Sequence, residues 1–119
     1  MLLVDTPIWV DHLRRGSRRL GGLLLEAEVV CHPHVVGELA CGHLRDREEV
    51  LSLLQALPQA PVISDAEFLF FVEEHQLMGS GLGFVDIHLL AAAQLAGVGL
   101  WTSDRGLRSA ASRLGLPSV

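Results

Sequence analysis

The chain predicts an α/β domain in three layers, a central parallel sheet of four to five short strands flanked by helices. Three observations carry that reading. Short apolar runs alternate with longer helical segments along the whole chain. No hairpin signal joins one apolar run to the next, so neighbouring strands must be connected by crossovers. Half of the residues are apolar and only 19% are charged, as in a compact domain rather than a disordered one. With 119 residues there is chain enough for one core and not for two, and residues 1–119 are read as a single domain.

The elements follow in order. Leu2 to Val4 reads as a short buried strand. Thr6 can cap a helix and Pro7 suits its first position. Ile8, Trp9 and Leu13 give that helix an apolar stripe, and Arg14-Arg15-Gly16 ends it. Leu20 to Glu26 is a second helix. Val29 to Cys31 is a strand, and Pro33 opens the helix that carries Glu38. Asp46 to Leu57 forms the next helix, with Val50, Leu53, Leu54 and Leu57 on one side. Pro58 and Pro61 punctuate a loop before Val62-Ile63. Ser64-Asp65-Ala66-Glu67 has the form of a capping box and opens a helix through His75. Gly79, Gly81 and Gly83 make a turn, and Phe84 to Ala96 is the most apolar helix, closed by Gly97. Val98 to Thr102 is a strand and Arg105 to Leu114 a last helix.

Composition narrows the function. The formal net charge is −5, so the field of the whole molecule does not favour a polyanion. Any nucleic-acid contact has to be local, through a metal or through arginines, of which Arg14, Arg15, Arg18 and Arg19 form one cluster. Cys31 and Cys41 read as buried thiols of a reducing compartment. There is no signal-peptide pattern and no apolar stretch long enough for a membrane span, which points to the cytoplasm.

Four carboxylates stand out. Asp5 closes the first apolar run and Asp104 the run Val98 to Ser103. Glu38 and Asp86 interrupt apolar helical stretches, each expected in a first turn where the helix dipole favours negative charge. Ligands of an open parallel sheet gather beyond the carboxyl ends of its strands, which gives the four a common address. Within roughly 5–6 Å, each pair repels by about 3 kcal/mol at an effective dielectric near 20. Carboxylate oxygens with room for water suit Mg²⁺ or Mn²⁺. The matching chemistry is attack of metal-activated water on a phosphodiester. Thr6 and Ser103 are candidates for orienting these groups from outside.

Val4-Asp5-Thr6-Pro7-Ile8-Trp9-Val10-Asp11-His12-Leu13-Arg14 resembles the opening of PIN-domain ribonucleases of the VapC toxin type. Gly37-Glu38-Leu39-Ala40 is similar to their central acidic helix. Gly81 to Ala93, which contains Asp86, is similar to their third acidic segment, and Trp101-Thr102-Ser103-Asp104 to their fourth. The resemblance covers essentially the whole chain, in order. It implies a PIN-like fold and a Mg²⁺-dependent endoribonuclease, with Asp5, Glu38, Asp86 and Asp104 as metal ligands and catalytic residues. It also implies a homodimer held inactive by a VapB-type antitoxin. Pro7 stands where a hydroxyl residue is common, and Gly106-Leu107 replaces a frequent acidic-aromatic pair.

Other readings compete for the same residues. Asp5 and Asp104 also fit as helix N-caps, as Thr6 does. Asp11 reads as a solvated residue or a partner of Arg14 or Arg15. His32, His34, His43 and His88 lack zinc-site spacing with acidic support and read as packing or surface residues. Trp9 and Trp101 read as core. The glycine series lacks the preceding strand and the Lys of a phosphate loop. An aspartyl-phosphate phosphatase would use Asp5 as nucleophile but wants a second Asp where Pro7 stands, and a non-catalytic PIN-like binding module has no need of four acids. Leu20, Leu23, Leu24 and Leu25, with Leu51, Leu53 and Leu54, are expected to include surface covered by another chain.

Overall fold

Strand β1 (Leu2–Val4) lies at the centre of the sheet, between β2 (Val29–Val30) and β3 (Gly99–Trp101), and all three run parallel. The computed structural model describes residues Met1–Val119. Its helices are α1 (Thr6–Arg15), α2 (Arg18–Leu25), α3 (Pro33–Ala40), α4 (Arg47–Ala56), α5 (Asp65–Glu74), α6 (Phe84–Ala96) and α7 (Arg105–Arg113). The crossover from β1 to β2 and that from β2 back past β1 to β3 run in opposite senses across the sheet. Right-handed connections then put helices on both of its faces. No helix is long and apolar enough to cross a membrane.

The sheet has three strands, not four to five. Val62-Ile63 forms no strand. The chain meets the sheet edge earlier, where Gln59 bridges Cys31 in parallel. Cys31 N donates to the Pro58 carbonyl at 2.8 Å and Ala60 N to the Cys31 carbonyl at 2.7 Å. Pro58 and Pro61 flank that bridge, and neither has an N–H to extend the ladder.

Helix boundaries follow their caps. Asp5, and not Thr6, caps α1: its Oδ1 accepts from Thr6 N at 2.8 Å, and Pro7 occupies the second helical position. Helix α2 starts two residues before Leu20 because Ser17 Oγ accepts from Leu20 N at 3.1 Å. The capping box of α5 is complete in both directions, Ser64 N to Glu67 Oε1 at 2.8 Å and Glu67 N to Ser64 Oγ at 3.1 Å. Gly97 ends α6 at φ +68°, a left-handed turn that residues with a Cβ rarely adopt.

Helix α6 is the spine of the core. Ile87 through Ala93 are all buried, so the helix is covered nearly all round, by β3, α5 and α7. Leu3, Val4, Trp9, Val29, Val35 and Leu100 complete the same core. The C-terminal segment crosses β3 so closely that a Cβ on Gly99 would lie 2.9 Å from the Pro117 carbonyl and 2.9 Å from Leu2 Cδ2.

Gly99→Ala is therefore expected to destabilise the protein by about 1–3 kcal/mol, since the backbone carbonyl cannot rotate away as a side chain can. Gly22→Ala, inside α2 with open space around the new methyl, should instead stabilise by about 0.5–1 kcal/mol. Urea unfolding of the two variants beside the parent measures both signs.

Candidate active site

The pairing of Val4 with Trp101 puts the next residues of the two strands, Asp5 and Thr102, side by side. Asp5 N donates to the Trp101 carbonyl at 2.9 Å. Thr102 Oγ1 donates to Asp5 Oδ2 at 2.7 Å and accepts from Asp104 N at 3.0 Å. Asp104 Oδ1 then accepts from Leu107 N at 2.8 Å and caps α7. One hydroxyl thus ties the first acid to the backbone of the fourth. Ser103, the residue expected in this role, is exposed. Sequence reasoning misses Thr102, although counting along a parallel register from Asp5 reaches it.

Glu38 arrives from α3. Thr6 Oγ1 donates to its Oε1 at 2.6 Å. Glu38 lies in the last turn of α3, not the first, and is exposed rather than set among apolar side chains. The negative end of the helix dipole therefore works against its charge. Asp86 is in the first turn of α6 as expected, half-buried, with Oδ2 accepting from Gly83 N at 2.9 Å. The turn before α6 abuts α7: a Cβ on Gly106 would lie 3.3 Å from Asp104 Oδ1 and 3.7 Å from Leu82 Cδ2. That proximity sets the starts of the helices bearing Asp86 and Asp104 beside each other.

Asp5 is only 5% exposed. Its burial raises its carboxyl above the ordinary value of 3.8; the bonds from Thr102 and Thr6 N lower it, and the charges of Asp86 and Glu38 raise it further. Asp5, Glu38 and Asp86 therefore share one field, while Asp104 joins them through Thr102. None of the four pairs with an arginine. As they stand, no three of these side chains converge on a single point at ligating distance. Glu38, Asp86 and Asp104 each have one oxygen held by a donor, while Glu38 Oε2, Asp86 Oδ1 and Asp104 Oδ2 have none. With both its oxygens engaged and almost no exposure, Asp5 is poorly placed for nucleophilic attack, which counts against a phosphatase.

The remaining candidates have other places. Asp11 binds Arg15 on α1. His32 and His88 are buried beside His34, Phe68 and Phe84. His32 Nδ1 accepts from His34 N at 2.9 Å, and burial, with the neighbouring histidines, lowers its pKa to about 4. Trp9 is core, whereas Trp101 is half-buried with the Arg19 guanidinium 4.4 Å from its ring centroid. The run Arg14 to Arg19 is split by the turn at Gly16 and forms no single patch. Cys31 is buried but Cys41 is exposed, and neither is in a disulfide.

A family model described as PIN domain matches residues 2–112. Ribonuclease VapC32 of Mycobacterium tuberculosis, from strains CDC 1551 / Oshkosh and ATCC 25618 / H37Rv, is 44% identical over 117 residues, covering 98% of this chain and 94% of that protein.

The electrostatics of Asp5 have a measurable consequence. The unfolded carboxyl ionises near 3.8 and the folded one above it. Its contribution to stability is complete below 3.8 and is lost as the pH rises through the folded value. In EDTA, Asp5→Asn should be at least as stable as the parent at neutral pH, with the gain shrinking toward pH 4. Urea titrations at the two pH values test this; an Asn protein clearly weaker at neutral pH would refute it.

Proposed function

The chain belongs to the PIN-domain family, in its VapC ribonuclease branch, and from that premise we propose that it is a metal-dependent endoribonuclease, the toxin of a VapBC-type pair. The observation that carries the reading is the state of Asp5: a desolvated carboxylate at the end of the central strand, repelled by Asp86 and Glu38 and offered no basic partner. Four carboxylates without a counter-charge fit a hard divalent cation, Mg²⁺ or Mn²⁺, and not a soft metal. Asp5, Glu38, Asp86 and Asp104 would hold it: Glu38, Asp86 and Asp104 through the oxygen without a donor, and Asp5 through a remaining lone pair of an oxygen that already accepts one hydrogen bond. A cation bound there supplies Lewis-acid activation of water and charge neutralisation at the leaving oxygen. The Thr102 hydroxyl favours the charged form of Asp5 against its burial and aims it, and Thr6 aims Glu38.

The partners come with the same reading: an RNA substrate, a second copy of the chain and a VapB-type antitoxin. For the antitoxin, Leu20 and Leu54 are core and closed to a partner, while Leu25 and Leu53 stay exposed. A groove lined by Val10, Leu13, Leu39 and Val50, between α1 and the α3–α4 turn, has room for apolar side chains close to the helices bearing Thr6 and Glu38. A basic residue of the antitoxin reaching the four acids would replace the cation's charge and so compete with it. For the second copy, Leu69, Phe70 and Leu95 project from α5 and α6 at 64–67% exposure and form the apolar surface best suited to self-association. Unpaired cysteines suit a reducing cytoplasm.

Two measurements test this. Asp5→Asn, Glu38→Gln, Asp86→Asn and Asp104→Asn should each abolish or nearly abolish cleavage of RNA in Mg²⁺ or Mn²⁺, and Thr102→Val should lower metal affinity or activity by about 10–100-fold. Full activity of Asp86→Asn would sink the assignment. Phe70→Asp should shift the protein from dimer to monomer in sedimentation velocity; an unchanged dimer would move the interface elsewhere.

A further inference from the structure

A chain of net charge −5 meets a polyanion only through a local field, and α7 supplies one. It carries Arg105, Arg108 and Arg113 and no acidic residue. All three are exposed and none is paired with a carboxylate. With Ser109 and Ser112 they line a shallow surface without an apolar residue. Through Arg108 and Ser112 that surface continues into a groove of about 410 Å³ between α7, the end of β3, Arg19 of α2 and the C-terminal segment. There the Arg19 guanidinium covers the Trp101 ring, and Arg108 Nη2 donates to the Thr102 carbonyl at 3.3 Å. Thr102 is the residue whose hydroxyl holds Asp5. The basic strip therefore borders the acid cluster, at Thr102 and at Asp104, the cap of the same helix.

The chemistry of the strip is that of a phosphate track. Unpaired guanidinium groups and hydroxyls donate to phosphate oxygens, and the stacked Arg19–Trp101 pair offers a planar surface to an unstacked base. The carboxylates need none of these residues for metal binding. We propose that the strip from Arg113 and Arg105 through Arg108 to Arg19 and Trp101 holds the backbone of a single RNA strand and leads it to the carboxylate site. The proposal rests on the ribonuclease reading and adds where the substrate lies.

The test uses the whole protein and a fluorescein-labelled oligo(U), in EDTA so that binding is read without the metal. Arg105→Gln/Arg113→Gln should weaken binding about tenfold and reduce the slope of log Kd against log salt by about 0.7 for each phosphate that the strip no longer neutralises. Arg19→Gln should weaken it about fivefold or more by removing the stack. Arg14→Gln/Arg45→Gln removes the same charge from the separate groove by α1 and α4 and should change Kd by less than about twofold. Circular dichroism checks that all variants keep their helices. Equal weakening by both arginine pairs would reduce the effect to bulk charge and overturn the proposal. So would an α7 pair that binds oligo(U) normally, including one that loses only an acidic protein partner. The two readings separate: full cleavage by Asp86→Asn with oligo(U) binding still weakened about tenfold in the α7 pair would remove the nuclease assignment and leave the strip. An inactive Asp86→Asn with normal binding by the α7 pair would remove the strip alone.

Discussion

Everything at the carboxyl end of the sheet depends on one hydrogen bond, from the Thr102 hydroxyl to Asp5. It exists because β1 and β3 pair with Val4 opposite Trp101. A slip of one residue would bring Ser103 or Trp101 opposite Asp5 and turn every side chain of β3 to the other face. The core forbids that slip, since Leu3 and Leu100 are both buried. Apolar packing thus sets the register, and the register sets a hydroxyl against a buried carboxylate that would otherwise have only one backbone donor.

On the proposed reading the acids carry local and collective duties at once. Asp5 and Asp104 are helix caps, and Asp86 closes the turn before α6. Capping and ligation are alternatives only for a residue considered alone. In Asp86 and Asp104 the local bond fixes one oxygen and leaves the other, which would position the carboxylate for the proposed ligation. The proposed metal role would in turn account for an Asp5 that is desolvated and crowded by like charge, an arrangement that local structure alone would not retain.

How much of this is legible in the chain depends on how local the cause is. Helix α6 has the bounds expected, Phe84 to Ala96, because its glycine turn, its apolar run and Gly97 are all adjacent in sequence. The four acids are visible for the same reason. The absence of a strand at Val62-Ile63 is decided by Pro58 and Pro61 against the sheet edge, a tertiary matter. Glu38 falls in a last turn and not a first because α3 begins at Pro33 and already stops at Ala40. Choosing Thr102 over Ser103 requires the register of two strands almost a hundred residues apart. The arginine run looks like one patch in the sequence, and the turn at Gly16 divides it.

Charge placement ties these points together. The molecule is acidic overall, yet its arginines on α7 are free of carboxylate partners, while Arg15 and Arg19 near the N-terminus are engaged by Asp11 and Trp101. Arg108 grips the carbonyl of Thr102 and Thr102 grips Asp5, so the basic helix and the acid cluster are joined through one residue. Two fields of opposite sign held this close cannot both be left to free side chains, because they would collapse into ion pairs. Here the acids are anchored to backbone N–H groups and threonines and the arginine to a carbonyl. Neutral partners hold the acids and Arg108 apart, which leaves the negative end available to a cation and the positive end available to an anion.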